Sequence, residues 1–220
     1  MFAESIEKSV NNYYFLNKRK NMLTIGVELN HVVRNINRQI LKYYAKEYDP
    51  SMDWEELDDK VDVIEKYCNF KSKYEKNNFI YINYPFEIFG ASETVEKKLA
   101  VRITTWLSDI TNIEDEDIRI VFYSLDEDAL TIQSSFFFLS KIGSRVRKVI
   151  FPKNIEEVWK ECDVVITARN EFFEVELPAD KKIVLINREF NKENKDKAFL
   201  NYDNLSDVIA DNNFFEKLKQ

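Results

Sequence analysis

The sequence predicts an α/β protein built as a doubly wound parallel sheet, with a helical cap inserted after the first strand. Short apolar runs alternate with helical patterns from Met22 to the C-terminus, and a single stretch, 51–93, interrupts them. Strands that alternate with helices call for a parallel sheet covered on both faces, because each crossover carries its helix back over the sheet.

Met22 to Val27 is an apolar run of the kind buried in a parallel sheet. Ile36, Ile40, Leu41, Tyr44 and Tyr48 then recur at helical spacing until Asp49-Pro50 stops them, which makes a β-to-α unit. Within 51–93 the pattern weakens to an acidic, helical stretch from Trp54 to Tyr67, a polar Lys/Asn segment, Phe79 to Asn83 and the loop Tyr84 to Gly90. A helix with Val95, Leu99, Ile103, Trp106, Leu107 and Ile110 on one face follows, with Ser92 or Thr94 as its cap. Strand Ile118 to Tyr123 precedes a helix from Asp126 to Ile142, apolar nearly all round and expected to be buried, with Gly143 suited to a left-handed cap. Next come strand Lys148 to Phe151, a helix from Ile155 to Cys162, strands Val164 to Ala168 and Lys182 to Asn187, and a last helix from Leu205 to Leu218. The implied organisation is an N-terminal arm over 1–21, a core over 22–50 and 94–220, and a cap over 51–93. The arm has a weak helical pattern and either reaches another molecule or packs on its own domain.

At 220 residues, 45% hydrophobic with 17 Phe and 11 Tyr, the chain has ample core-forming material. A net charge of -7 disfavours general nucleic-acid or anionic-lipid binding, and Lys18-Arg19-Lys20 and Arg145 to Lys148 read as solvated surface. Two separated cysteines, Cys68 and Cys162, suggest reduced thiols and a cytoplasmic setting. No apolar run reaches the roughly 20 residues of a membrane span, and 1–21 carries charges where a signal peptide is apolar. Three glycines, Gly26, Gly90 and Gly143, admit neither a Walker A loop nor a dinucleotide fingerprint, and a single histidine, His31, leaves no zinc set.

Ligands of doubly wound sheets sit at the carboxyl ends of the strands, so chemistry is sought just after Val27, in Glu28 to Arg34 (ELNHVVR). An apolar strand leading into this run resembles the first motif of the haloacid-dehalogenase superfamily of phosphatases, Asp-x-Asp. There the first Asp attacks phosphorus and the second is general acid and base. The resemblance covers most of the chain from Met22, including the inserted cap, Ser124 at the end of the second strand, and the run Cys162 to Ala168. Gly26 to Arg34, Tyr84 to Gly90 and Phe136 to Lys141 are similar to proteins of this fold from crAss-like bacteriophages.

Against that family pattern, Glu28 stands at the nucleophile and Asn30 at the acid/base. The extra methylene of Glu28 moves its carboxylate by more than about 1 Å, which can cost on the order of 100-fold. An amide exchanges no proton near neutral pH, so roughly 10²- to 10⁴-fold of acid–base catalysis is forfeited. A magnesium ion would lose a carboxylate ligand as well. Ser124 matches the phosphate-binding hydroxyl, and Lys141 or Lys148 could supply the family's lysine. Asp163 begins its strand rather than following it, so the later acidic pair has no clear counterpart. Read without the family, Glu28 and Asn30 are caps of a helix starting near Val32, His31 is a partly exposed turn residue, and Ser124 bonds its own backbone.

The expectation is a chain without catalytic, metal or cofactor residues, in which Glu28, Asn30 and Ser124 are vestiges. The phage likeness implies a virion component, assembled in the host cytoplasm, forming a homo-oligomeric ring in the neck or tail with other virion proteins. Aromatic pairs such as Tyr13-Tyr14, Tyr43-Tyr44 and Phe214-Phe215 would serve such contacts, or else belong to the core. The alternatives are a magnesium-dependent phosphatase or nucleotidase using Glu28, and a module that binds a phosphorylated ligand through Ser124 and a lysine without turning it over.

Overall fold

A computed structural model describes residues 22–112, 118–125 and 128–220. The proposed arm, with Tyr13-Tyr14 and Lys18-Arg19-Lys20, lies outside the described residues. Among those described, six strands form one sheet: β1 (Leu23–Glu28), β2 (Ile118–Tyr123), β3 (Val149–Ile150), β4 (Val164–Thr167), β5 (Lys182–Ile186) and β6 (Leu200–Tyr202). Their order is β3-β2-β1-β4-β5-β6 and every pairing is parallel. This is a doubly wound sheet whose order reverses between β1 and β4, the place where such sheets open a crevice.

Side chains alternate across the sheet. Ile25, Val27, Ile120, Phe122, Val164, Ile166, Val184 and Ile186 enter one core. There they meet helices α4 (Leu99–Asn112), α7 (Leu205–Ala210) and α8 (Phe214–Leu218). Tyr123, Val165 and Ile183 face the other way, toward Ile155, Val158 and Trp159 of α6 (Ile155–Glu161) and Phe172. Gly26 makes that second face possible, since a Cβ there would lie 2.7 Å from Cys162 Sγ and 3.2 Å from the Tyr123 ring.

The inserted region has a core of its own. Helix α1 (Ile36–Tyr48), expected to cover the sheet, instead sends Ile36, Ile40, Leu41 and Tyr44 into a cluster with Val61, Val63, Phe79, Ile80, Ile88 and Phe89. Its apolar stripe announces a buried face but not what it is buried against. The chain leaves and re-enters the sheet domain through paired backbones: Asn35 N–H donates to Glu93 O (2.9 Å) and Val95 N–H to Val33 O (3.0 Å).

Several expected elements are shorter or divided. Trp54 to Tyr67 is helical only over α2 (Val63–Tyr67), capped by Asp62. Before it, Arg38 collects the carbonyls of Trp54, Glu55 and Leu57 and holds the backbone in a non-helical path. The Lys/Asn segment forms α3 (Lys73–Asn77), and π-helical turns cover Asn78–Asn83 and Phe86–Gly90. Neither Ser92 nor Thr94 caps α4, which starts at Leu99 after Lys98 takes a φ of +66°. The last expected helix is two, because at Asp211 the backbone turns extended and its carboxylate binds Tyr202, Asn213 and Lys217. Strand β6 went unanticipated, being only three residues long.

Helix α5 (Ala129–Lys141) begins at an Asp128–Thr131 capping box and ends as expected at Gly143, whose φ is +65°. Gly143 N–H reaches Ser140 O and Ser144 N–H reaches Leu139 O, both at 3.0 Å, a Schellman closure. It is not buried all round: Phe138 and Leu139 are core, whereas Leu130, Phe136 and Phe137 are exposed. Conversely, Tyr44 and Phe214 are buried, with Tyr43 and Phe215 packed beside them, so those pairs are core rather than contact surface. Cys68 and Cys162 are free thiols. No helix among the described residues is long and apolar enough to cross a membrane.

Candidate functional site

The carboxyl ends of β1, β2 and β4 bring together Glu28, Ser124 and Ala168–Arg169, with Asn30 and Arg34 on the loop that leaves β1. Leu29 N–H extends the β1–β2 ladder to Tyr123 O (2.8 Å), and the chain then folds back so that Val33 and Arg34 N–H both donate to Leu29 O. His31 makes this reversal with a φ of +64°, a left-handed conformation that histidine tolerates better than most residues. Helix α1 starts only at Ile36, and its cap is Asn35, whose side chain accepts from Arg38 N–H. Glu28 and Asn30 therefore cap nothing, and the reading of them as helix caps is corrected.

Glu28 is fully buried and both of its oxygens are engaged. Oε2 accepts from Thr167 Oγ1 (2.6 Å) and Ala168 N–H (3.2 Å), and Oε1 accepts from Arg169 Nε at 2.5 Å. The acid thus bridges the switch point, tying the end of β1 to the end of β4. Burial raises its pKa, while Arg169 and the bonds from Thr167 and Ala168 pull it down.

Beside it, the Arg34 side chain is wholly enclosed, its guanidinium 4.9 Å from the Phe89 ring centroid and 5.8 Å from that of Phe138. Nε donates to Asn30 Oδ1 (2.7 Å), Nη1 to Phe89 O (3.1 Å) and to Ser135 Oγ, and Nη2 to Ser124 Oγ (3.4 Å). Asn30 Nδ2 also donates to Ser124 Oγ (3.3 Å). Asn30 and Ser124, expected near each other, do meet, both directly and through Arg34. Among the described residues the Ser124 hydroxyl oxygen is engaged by Asn30 and Arg34 and not by its own backbone.

The lysines fall elsewhere. Lys141 donates to Ala91 O and Ser92 O, both at 2.8 Å, fastening the inserted region to α5, and Lys148 pairs with Glu161 on the surface. Asp163 lies at the start of β4, where it accepts from Thr24 N–H and pairs with Lys181. His31 is the partly buried turn residue expected, its carbonyl taking Arg188 Nη2 (2.6 Å) and its ring edge-on to Phe190. Burial, then Arg169, Arg188 and Arg34, hold its imidazole down at about 3.

A magnesium ion does not fit this donor set. Glu28 already has three donors on its carboxylate, and the guanidinium of Arg34 is bonded to Asn30 and Ser124. No group of three or more His, Cys, Asp or Glu among the described residues could hold a metal. A cavity of about 470 Å³ does open between the sheet edge and the inserted region, reached by Asn30, His31 and Arg169. Asp62, Glu171 and Glu174 also line it, and all three are exposed carboxylates unfavourable to a phosphate dianion.

Arg34 and Arg169 were the residues missed. Arg34 lay in the run singled out after β1 and Arg169 directly follows the run Cys162 to Ala168, so the signal was available: Arg169 follows the strand beside the switch point, and Arg34 interrupts an apolar run four residues after Asn30. No family model matches the chain, and no curated protein matches it.

Proposed function

We propose that this chain is a non-catalytic protein on a phosphatase-type frame of the haloacid-dehalogenase kind, used as a structural subunit. On this reading it belongs to a bacteriophage particle assembled in the host cytoplasm, where copies form a ring in the neck or tail beside other virion proteins. One observation carries the loss of chemistry: the reactive corner is filled by two of the chain's own guanidiniums, Arg169 on Glu28 and Arg34 on Asn30 and Ser124. A nucleophile must be free to approach phosphorus in line, and a carboxylate fixed by three donors is not. A phosphatase reading would need Glu28 to release Thr167, Ala168 and Arg169 together, and a phosphate-binding module would need Ser124 released from Arg34. The virion assignment rests on the likeness of Gly26 to Arg34, Tyr84 to Gly90 and Phe136 to Lys141 to phage proteins of this fold.

The test is solution mass by light scattering, paired with phosphate release from a generic phosphate ester with magnesium. A closed oligomer without turnover supports the proposal. A metal-dependent rate that disappears in Glu28→Gln overturns it.

A further inference from the structure

Helix α5 presents an apolar face that nothing described covers. Leu130, Phe136 and Phe137 are 48%, 53% and 47% exposed, and Phe86 of the inserted region, 46% exposed, sets its ring 4.8 Å from that of Phe137 at a tilt of 56°. Phe136 lies 5.5 Å from the Phe151 ring, which follows β3. The apolar surface thus runs on to the open edge of the sheet, since β3 is the last strand in the order and Val149 and Ile150 are only partly buried. Exposed aromatic side chains that pair off along one helix, rather than lying singly, mark an interaction surface, and a strand edge with no partner among the described residues invites another chain.

The charges around this patch choose its occupant. Beyond its Asp128 cap helix α5 contains no acidic residue, and the run into β3 carries the exposed Arg145 and Arg147, with Lys148 already paired to Glu161, in a chain whose net charge is -7. Two copies repel overall, so a contact between them has to use the minority basic surface against an acidic one. The chain offers a matching piece. Glu174, Val175, Glu176 and Leu177 are consecutive and exposed, alternating acid with apolar, with Val175 36% and Leu177 40% exposed.

We propose that the α5–β3 face is an interface for a second copy of this chain, which docks its Glu174 to Leu177 segment there. Val175 and Leu177 of that copy cover the Phe136–Phe137 patch, and Glu174 and Glu176 meet Arg145 and Arg147. The two surfaces are unlike and every copy carries both, so association can proceed from copy to copy and close into a ring. The inference deepens the self-assembly of the proposed function and rests on it.

Sedimentation velocity on the full chain tests it, with Phe137→Ser, Arg147→Glu, Glu176→Arg and the double variant Arg147→Glu/Glu176→Arg. All positions are exposed, and a thermal melt of each variant establishes that it folds. Each single change is expected to weaken association about tenfold or more, and the double variant to recover it by exchanging the charges. Single variants that associate like the wild type, or a double variant no better than either charge reversal, overturn this interface and leave the proposed function standing. A wild type that stays monomeric at every concentration overturns both.

Discussion

Arg169 Nε lies 2.5 Å from Glu28 Oε1 across the gap between β1 and β4, with the carboxylate fully buried and the guanidinium 16% exposed. A buried pair is weak evidence of net stabilisation, but removing one partner strands the other. Arg169→Ala is expected to cost about 3 to 5 kcal/mol at neutral pH. Burial already raises the pKa of Glu28, and without Arg169 it rises further. A carboxyl whose folded pKa exceeds its unfolded one is stabilising below the ordinary carboxylate range, and this is lost as pH rises. The gap between variant and wild type therefore narrows toward acid pH in urea titrations. Equal stability at neutral pH would refute the strut role.

Arg34 ties loop, sheet end, α5 and inserted region together through Asn30, Ser124, Ser135 and Phe89 O. Arg34→Met keeps volume but leaves these enclosed acceptors without their donor, at about 1 to 3 kcal/mol for each buried group left unsatisfied. Arg34→Lys recovers only a minor part, because an ammonium cannot reach acceptors spread around a planar fork. Hydrogen exchange of 78–91 in Arg34→Met reads the consequence: amides there lose protection more than those of β5. Uniform loss across the chain would deny Arg34 a local tie.

His31 is held neutral, down to about 3, by burial and by Arg169, Arg188 and Arg34. Between the ordinary histidine value of 6.5 and about 3 the unfolded chain binds a proton that the folded one does not. Stability accordingly falls with falling pH across that window, by up to about 1.4 kcal/mol per pH unit. His31→Asn, which suits the positive φ, should flatten the decline in urea midpoints between about pH 6.5 and about pH 5. An unchanged slope would show that other groups set it.

The sheet was legible because its strands are continuous apolar runs, and β1, β2, β4 and β5 stand within a residue of where the pattern puts them. What periodicity cannot show is the partner of a face. The stripe of α1 looked like a cover for the sheet and builds the inserted core, and the Phe run of α5 looked buried although two of its three rings, Phe136 and Phe137, are exposed. The site was legible in position, at the end of β1, and in two of its departures, Glu28 and Asn30. Its chemistry was not, since it depends on arginines folding back onto those residues. Arg34 is close to Asn30 in sequence, but Arg169 reaches Glu28 from 141 positions away, through strand order alone.

Arg34 and Arg169 close the corner between Glu28, Asn30 and Ser124 with their own hydrogen bonds. Thermal unfolding of the wild type and of Glu28→Gln, each with and without magnesium and vanadate, addresses it most directly. The wild-type midpoint is expected to stay where it is when both are added, and Glu28→Gln to melt earlier with or without them. A rise in the wild-type midpoint that needs metal and vanadate together and is absent in Glu28→Gln would contradict this closure.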